Sequence, residues 1–348
     1  DTDGDGDELN LTIEVDVNSI DVSGLTLTNV GSVTIEASAE TVHWGYLSSD
    51  IPPIISINSG DTVSLSTISG PPDVVANAPY NVRQALHDVH ENPVRGTLQG
   101  GHMCTGPVEI KGLVAGNVLQ VDILSVELDS DWAYTGVSPL KGALPDDFHE
   151  KQMTYLDIDQ ENMVAKTPWG MSIPLSPFFG VLCTAPPKPW GALSTVPPRR
   201  NGGNMDNKEL VAGSTVFLPV FVDGGLFSAG DGHGTQGDGE ICTAAVEMNM
   251  KGSFKLTSRD DMMLEWPMAE TEDNIITMAF DPDLDNCVVI AVRQMVNLLH
   301  IYCNISKADA YTLLSYVGNL RVTQVVNGNK GIHLMVNKEF FGNKSFKK

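Results

Sequence analysis

One glycine-rich segment, residues 223–247, contains the side chains best suited to chemistry in this chain. It places Asp231 and His233 two positions apart and follows them with Glu240. Glycines allow a backbone to bend sharply and to approach a ligand closely. A carboxylate and an imidazole presented to one point suit Zn²⁺ or a similar divalent ion, and Glu240 could then take a proton from a water molecule. The alternative interpretation is an acidic surface loop whose histidine makes ordinary hydrogen bonds.

Other short segments add candidate residues. His43 lies in a mostly apolar run, where a histidine is also typical of a buried core, and His102 lies in a second, glycine-flanked run. Asn204 and Asp206 could hydrogen-bond an amide or a metal ligand, although Asn, Asp and Gly are also the usual residues of turns.

The elements that must position these residues are mostly β-strands. Alternating apolar and polar residues predict strands over residues 11–17, 32–38, 61–69, 117–127 and 214–222. Strands follow one another for roughly 270 residues without intervening helices, which favours an antiparallel β-sandwich or barrel over a parallel α/β sheet.

The C-terminal quarter has a different pattern. Residues 285–303 and 308–318 predict two helices, with an N-cap at Ser306 for the second. A strand pair around the turn at 328–331 completes the chain. We therefore expect a helical pair packed on the β body and not a separate domain.

The N-terminal residues are predicted to be an appendage. Residues 1–8 are interpreted as an acidic tail in front of a single domain at 9–348, in which 9–36 is an extra strand segment. The tail also resembles the start of an EF-hand loop, so calcium at a second site is the alternative. Against that alternative, Thr12 occupies the position of the loop's last glutamate.

Composition limits the partners of this chain. Lys and Arg number 21 against 44 Asp and Glu, a formal net charge of −23. Such an acidic chain repels phosphate backbones and anionic membrane surfaces, so we expect no nucleic-acid partner. The sequence has no uninterrupted apolar run of about 18 residues, and we therefore expect no membrane insertion.

Cysteines and sequons bear on the compartment. The five cysteines include no C-x-x-C pair, while one or two disulfides remain open. Asn-x-Ser/Thr sequons occur at Asn10, Asn304 and Asn343, and the sequence begins at Asp1 without a methionine. Together with the acidity these features favour a secreted glycoprotein, with a cytoplasmic protein as the alternative.

The segments in their order resemble the acetamidase/formamidase family. The resemblance rests on H-W-G-Y and I-P-P-I-I-S-I-N-S-G-D-T-V within 43–63, T-G-P-V-E-I-K-G at 105–112, S-P-F-F-G-V-L-C-T-A-P-P at 176–187, G-G-N-M-D at 202–206, and G-D-G-H-G-T-Q-G-D-G-E within 218–247. It implies a β-rich sandwich fold and hydrolysis of short aliphatic amides to a carboxylate and ammonia.

With this resemblance we predict a metal-assisted amidase. Asp231 and His233, together with His43, are expected to hold a divalent ion, with zinc preferred. Glu240 is expected to act first as general base and then as general acid, since an amide needs both an activated water and a protonated leaving nitrogen.

The remaining candidates bind substrate or compete for catalysis. Asn204 and Gln236 are predicted to donate hydrogen bonds to the substrate or oxyanion, with Asp206 and His102 in the same binding group. Cys242 is the competing nucleophile, for which His102 or His233 would be the spatial partner.

A second function class stays open. An acidic extracellular protein could keep an amidase-like scaffold as a structural or self-assembling protein, because fold does not determine function. We expect a homo-oligomer in either case, with residues 9–36 available to add a strand to a neighbouring subunit.

Overall fold

The computed structural model describes residues 33–98 and 100–348. Within these ranges the chain forms 21 strands and four α-helices, so the predicted mainly β fold is confirmed. The first ten strands are β1 (Val33–Ile35), β2 (Val42–Trp44), β3 (Tyr46–Leu47), β4 (Ile55–Asn58), β5 (Thr62–Thr67), β6 (Met103–Lys111), β7 (Val118–Leu128), β8 (Trp132–Val137), β9 (Gln152–Asp159) and β10 (Val164–Lys166). The others are β11 (Ser172–Pro174), β12 (Phe178–Cys183), β13 (Leu193–Ser194), β14 (Gly202–Asn204), β15 (Thr215–Pro219), β16 (Phe227–His233), β17 (Met250–Arg259), β18 (Met268–Glu270), β19 (Asn274–Asp281), β20 (Asn319–Gln324) and β21 (Lys330–Asn337). The helices are α1 (Pro72–Asn77), α2 (Gln84–Glu91), α3 (Leu284–Cys303) and α4 (Lys307–Val317).

Two large sheets form the body of the described chain. The larger has nine strands in the order β1-β5-β17-β7-β15-β18-β19-β21-β20, and the second has the order β14-β12-β16-β6-β2 with β4 also paired to β6. A four-stranded sheet, β11-β10-β9-β8, and the pair β13-β3 complete the described strands. Pairing is antiparallel except at β1–β5 and β4–β6, in agreement with the predicted antiparallel body.

The core fills the space between the two large sheets. Phe254 of β17 contacts both Phe179 of β12 and Phe227 of β16, each with ring centroids 5.4 Å apart. All three rings are fully buried, and each such burial stabilises the fold by about 1.5–3 kcal/mol. Strands β12 and β16 are therefore held firmly against the larger sheet.

The C-terminal helices agree with the sequence. The Asp283 side chain caps the start of α3 by accepting a hydrogen bond from Asp285 N, and Ser306 caps α4 as predicted. The expectation that no helix interrupts the first 270 residues is wrong. The short helix α2 places Leu86 and Val89 in a small apolar cluster, so two buried side chains suffice to stabilise a helix too short for the pattern to reveal.

Among the described residues, α3 is long and apolar enough, by length and composition, to cross a membrane. The absence of an uninterrupted apolar run in the sequence does not reveal such a helix. Polar residues such as Arg293 and Gln294 interrupt its apolar run. The helix packs along β19 and β21, and Ala291 is fully buried with its carbonyl accepting a hydrogen bond from Thr277 Oγ1 (2.9 Å). We therefore interpret α3 as a helix that covers the nine-stranded sheet.

Both ends of the predicted strand series can be compared with the structure. Strands β1, β5 and β15 lie within three of the predicted runs, β7 extends one residue beyond a fourth, and the C-terminal pair β20–β21 is present. The run 11–17 and the tail 1–8 lie outside the described residues. Residues 33–35 pair in parallel with β5 of the same chain, so strand exchange stays a prediction for 9–32.

The disulfides that the sequence left open are absent, because all five cysteines are described and all are free thiols.

Candidate active site

The candidate site lies where β12 and β16 pair. The register sets Phe178 opposite His233 and Val181 opposite Gly230, which places Gly180 opposite Asp231. A Cβ atom on Gly180 would overlap the carboxylates of both Asp231 and Asp206 and would lie 3.0 Å from His233 Cε1. The absence of a side chain at Gly180 therefore leaves a small space walled by two carboxylates and an imidazole.

Four buried carboxylates surround His233. Its Nε2 lies 3.1 Å from Asp231 Oδ2, 3.3 Å from Glu247 Oε1 and 4.0 Å from Asp206 Oδ1. Glu240 is the fourth, and one ligand atom each from Asp206, His233 and Glu240 lie within 4.8 Å of one another. The same holds for the set Asp231, His233 and Glu247, so His233 is shared by two groups with the composition of a metal site.

Gln236 determines which nitrogen of His233 faces these carboxylates. Its Nε2 donates to the carbonyl oxygens of Asp206 (2.8 Å) and Thr323 (3.4 Å), so its Oε1 is the atom 2.9 Å from His233 Nδ1. An amide oxygen only accepts, so Nδ1 carries a hydrogen. Nε2 faces carboxylate oxygens, so it either carries a second hydrogen, which makes the ring an imidazolium, or shares a bound cation with them.

The pKa shifts of the site residues also favour positive charge among the carboxylates. Burial raises the pKa of the Asp231 carboxyl, but the nearby His102 and His233 outweigh burial and bring that pKa well below its usual range. Burial lowers the pKa of His233, and the carboxylates of Glu247 and Asp231 raise it well above its usual range. Burial, and then the Asp206 carboxylate, raise the pKa of Glu240 well above its usual range. The carboxylates of Glu247 and Asp231 thus favour positive charge on or beside the His233 ring.

Several buried atoms of the site have no hydrogen-bond partner. They are Asp206 Oδ1, His233 Nε2 and Glu240 Oε2. An unsatisfied buried polar group costs about 1–3 kcal/mol, so three that converge suggest a ligand. Zinc bonds of about 2.0–2.2 Å separate tetrahedral ligand atoms by roughly 3.3–3.6 Å. The distances from His233 Nε2 to Asp231, Glu247 and Asp206 bracket that range, so the residues fit a divalent ion.

The backbone is strained at three of the four acids. Asp206, Asp231 and Glu240 have φ values of 49°, 60° and 46°. The left-handed region is uncommon for residues other than glycine, and conformations of this kind are retained where the surrounding structure determines them, often at functional sites. The hydrogen bonds from Met205 N (2.9 Å) and Asp206 N (3.3 Å) to the Gly180 carbonyl hold Asp206 over the space beside Gly180.

Comparison with known proteins assigns the chain to a family. A sequence profile described as the Acetamidase/Formamidase family matches residues 32–191 and 188–275, which together are most of the chain. The chain belongs to the acetamidase/formamidase family. This confirms the resemblance noted in the sequence, and both matched ranges include residues of the β12–β16 site.

Individual relatives of the family give the degree of similarity. An acetamidase from Mycolicibacterium smegmatis is 31% identical over 206 aligned positions, covering 42% of this chain and 51% of that protein. A formamidase from Methylophilus methylotrophus is 28% identical, covering 57% of this chain and 60% of that protein. The chain thus spans little more than half the length of these relatives. The crystal structure of an acetamidase from Bacillus halodurans has a TM-score of 0.77 and 28% identity, covering 89% of this chain and 99% of that one.

Within this family framework, two predicted substrate-binding residues have unpaired atoms. Asn204 is buried, its Nδ2 donates to the Val196 carbonyl (3.3 Å), and its Oδ1 has no partner. Asn204 therefore offers an acceptor and not the donor that we predicted. His102 is half-buried, with Nε2 3.8 Å from Asp231 Oδ2 and Nδ1 unpaired.

Two other predictions require reassignment. The Gln236 amide oxygen accepts a hydrogen bond from His233, and its nitrogen donates to two backbone carbonyls. Gln236 therefore orients the imidazole and has no donor left for a substrate. Asp206, predicted to bind substrate, lies among the candidate metal ligands because its Oδ1 faces the space beside Gly180.

The structure does not bring His43 or Cys242 into the cluster. His43 Nδ1 lies 2.8 Å from the Tyr46 carbonyl and Nε2 lies 3.1 Å from Ser228 Oγ, so both ring nitrogens are occupied. Burial lowers the pKa of His43 to about 4, which agrees with the alternative of a core histidine. The Cys242 thiol donates a hydrogen bond to the Ala244 carbonyl (3.6 Å). Among the described residues, it forms no hydrogen bond with His102 or His233.

Sequence reasoning missed Glu247 and Gly180. Glu247 ends the glycine-rich segment, and its Oε1 accepts a hydrogen bond from Ala245 N (2.8 Å) while facing His233. Glu247 could have been identified from its position in a segment that already contains several candidate metal ligands. The signal for Gly180 was a glycine in the middle of a strand pattern, which suggests close approach of another group.

Proposed function

We propose that this member of the family is an amidase that hydrolyses a short aliphatic amide to a carboxylate and ammonia, with a divalent metal ion in the carboxylate cluster. The observation that carries the proposal is the convergence of unpaired buried atoms from Asp206, His233 and Glu240, the first two of which lie beside Gly180. The names of the relatives, acetamidase and formamidase, support the substrate class.

The metal would be held by His233 and by carboxylates from the two groups that share it, Asp206 in one and Asp231 with Glu247 in the other. Three ligands of this kind suit a catalytic zinc, which keeps its fourth position open for water or substrate. The Nδ1–H of His233 donating to Gln236 is the outer contact that zinc-binding histidines usually make. When bound, such an ion polarises an amide carbonyl and lowers the pKa of a water molecule.

Glu240 would move the protons of the reaction. It lies within reach of Asp206 and His233, and its Oε2 is unpaired in a buried environment. A carboxylate there can take a proton from the attacking water and then deliver it to the departing nitrogen. The raised pKa of Glu240 suits the second task, because a protonated carboxyl must persist long enough to act as an acid.

Asn204 and His102 would orient the substrate. The free Oδ1 of Asn204 is an acceptor, and the NH₂ group of a primary amide is a donor that matches it. The half-buried His102 lies beside Asp231, with its Nε2 3.8 Å from Asp231 Oδ2, so it could contact a small substrate bound there. This pairing favours primary amides over amides with a substituted nitrogen.

The decisive test is ammonia release. The protein is incubated with formamide and with acetamide before and after treatment with a chelator, and after zinc is added back. We expect turnover of at least one amide, loss with the chelator and recovery with zinc. Turnover that is unchanged by complete metal removal would refute the metal-assisted mechanism.

Replacing Cys242 separates this mechanism from thiol catalysis. We expect Cys242→Ser to retain most of the rate, since the thiol donates only to a backbone carbonyl. A thiol nucleophile would lose nearly all of it, because a hydroxyl ionises far less readily. Steady-state kinetics with the better amide checks this, and an inactive Cys242→Ser that still binds zinc would favour the sulfur.

The structural or self-assembling function remains the second candidate. Absence of ammonia from every short amide tested, in a zinc-loaded protein, would move it to first place. Strand exchange through residues 9–32 would then be the feature to measure, by the oligomeric state of the full chain and of a chain without those residues.

A further inference from the structure

The strand pair at the C-terminal end reaches the candidate site from outside the region matched by the family profile, which ends at residue 275. Strand β20 runs antiparallel to β21 at the edge of the nine-stranded sheet. The turn between them contains Asn327, which is buried although the turn is polar. A buried polar side chain in a turn requires a partner.

The partner of Asn327 is Asp206. Asn327 Nδ2 donates to Asp206 Oδ2 at 2.5 Å, which leaves Asp206 Oδ1 as the oxygen that faces the space beside Gly180. Oδ1 is also the oxygen without a hydrogen-bond partner. The Asn327 amide thus selects which oxygen of Asp206 is available to a ligand.

The turn itself is held in place by Gln324. Gln324 Oε1 accepts hydrogen bonds from Val326 N (2.9 Å) and Asn327 N (3.1 Å), and its Nε2 donates to the Asn329 carbonyl (2.7 Å). With every polar atom of its amide engaged, Gln324 shapes the turn, so that Asn327 approaches Asp206 in a defined orientation.

The same strand pair also supports the loop that carries Glu240. Gly239 N donates to the Thr323 carbonyl and Val325 N donates to the Gly239 carbonyl, both at 3.1 Å. The Thr323 carbonyl also receives Gln236 Nε2 (3.4 Å). The strand pair therefore touches the site at two places, through backbone pairs beside Glu240 and through one side chain at Asp206.

We infer that Asn327 is a positioning residue that orients Asp206 for metal binding. The inference rests on the proposed function, because it takes Asp206 as a ligand. A hydrogen-bonded carboxylate loses less freedom on binding an ion, and removal of such an outer partner typically costs about 10–100-fold in metal affinity. Without the Asn327 amide, Asp206 can turn Oδ1 away from the cluster.

The test is the zinc affinity of the full chain, measured by competition with a chromophoric chelator after metal removal. We expect Asn327→Ala to weaken zinc binding by roughly 10–100-fold. Asn327→Asp keeps the size of the side chain but replaces the donor with a second carboxylate, so we expect a loss at least as large. If Asn327 only fills space, Asn327→Asp would instead bind zinc more tightly than Asn327→Ala.

The matched control is Asn329→Ala. Asn329 has the same side chain in the same turn, but its Nδ2 donates to the Pro198 carbonyl (2.9 Å) and not to a candidate ligand. We expect its zinc affinity to stay near that of the unmutated chain. Equal affinities for the Asn327→Ala and Asn329→Ala chains, in a protein that binds zinc and releases ammonia, would overturn the inference and leave the proposed function intact. An unmutated chain that binds no zinc would overturn both.

Discussion

Glu240→Gln is expected to lower amide turnover by roughly 10²–10⁴-fold, the usual contribution of a general acid–base group. Glutamine keeps the shape of the side chain but cannot accept the proton of the attacking water. Glu240 lies at a buried position with an unpaired Oε2, where no exposed carboxylate can replace it. The measurement is kcat for ammonia release, together with zinc content and thermal unfolding of the variant.

The control for this experiment is Glu265→Gln. Glu265 is an exposed carboxylate paired with Arg200 (2.8 Å), outside the residues of the site, and its loss should leave kcat unchanged. A Glu240→Gln chain that keeps its turnover would exclude Glu240 as the base. One that loses zinc together with turnover would instead identify Glu240 as a metal ligand.

Gly180→Ala is expected to lower turnover by at least about 10²-fold, because misplacement of reacting groups by about 1 Å can have that effect. The added methyl group would occupy the space between Asp206 and Asp231 in which we propose the ion to bind. It would also overpack a buried position, which typically costs about 1–3 kcal/mol in the free energy of unfolding. Zinc affinity and kcat should both fall, and zinc content should fall more than thermal stability.

Gly237→Ala provides the comparison. Gly237 lies in the glycine-rich segment without a positive φ, and a Cβ atom there meets nothing within 4 Å. We expect its kcat and zinc affinity to match the unmutated chain. If Gly180→Ala bound zinc as tightly as Gly237→Ala, the ion would not sit between the two carboxylates, and the ligand set would have to be revised.

The β body and the C-terminal helices could be predicted because their signals are local. Alternation over residues 117–127 appears as β7, and the Ser306 cap appears at the start of α4. Helix α2 could not be predicted in the same way. Its stability depends on Leu86 and Val89 packing against residues distant in the sequence, and an eight-residue pattern does not specify such contacts.

The candidate site likewise contains residues that the sequence could identify and residues whose role depends on tertiary structure. Asp231 and His233 could be identified because they form an Asp-x-His pair in a glycine-rich run. That this run is the end of strand β16, paired with β12, is set by tertiary structure. The prediction that His43 is a ligand rests on residue type, and the sequence does not reveal that Tyr46 and Ser228 occupy both of its nitrogens. Whether a histidine is a ligand depends on the hydrogen bond of each ring nitrogen, which is set by tertiary structure.

The contact between Asn327 and Asp206 has a consequence for the order of events during synthesis. Asn327 follows Glu247, the last of the four carboxylates, by roughly 80 residues, and at about 5–20 residues per second the ribosome needs several seconds to add them. During that interval the nascent chain already contains all four carboxylates but lacks the turn that orients Asp206. We therefore expect the proposed metal site to bind zinc tightly only in the completed chain, and a chain terminated before the final strand pair to bind zinc more weakly.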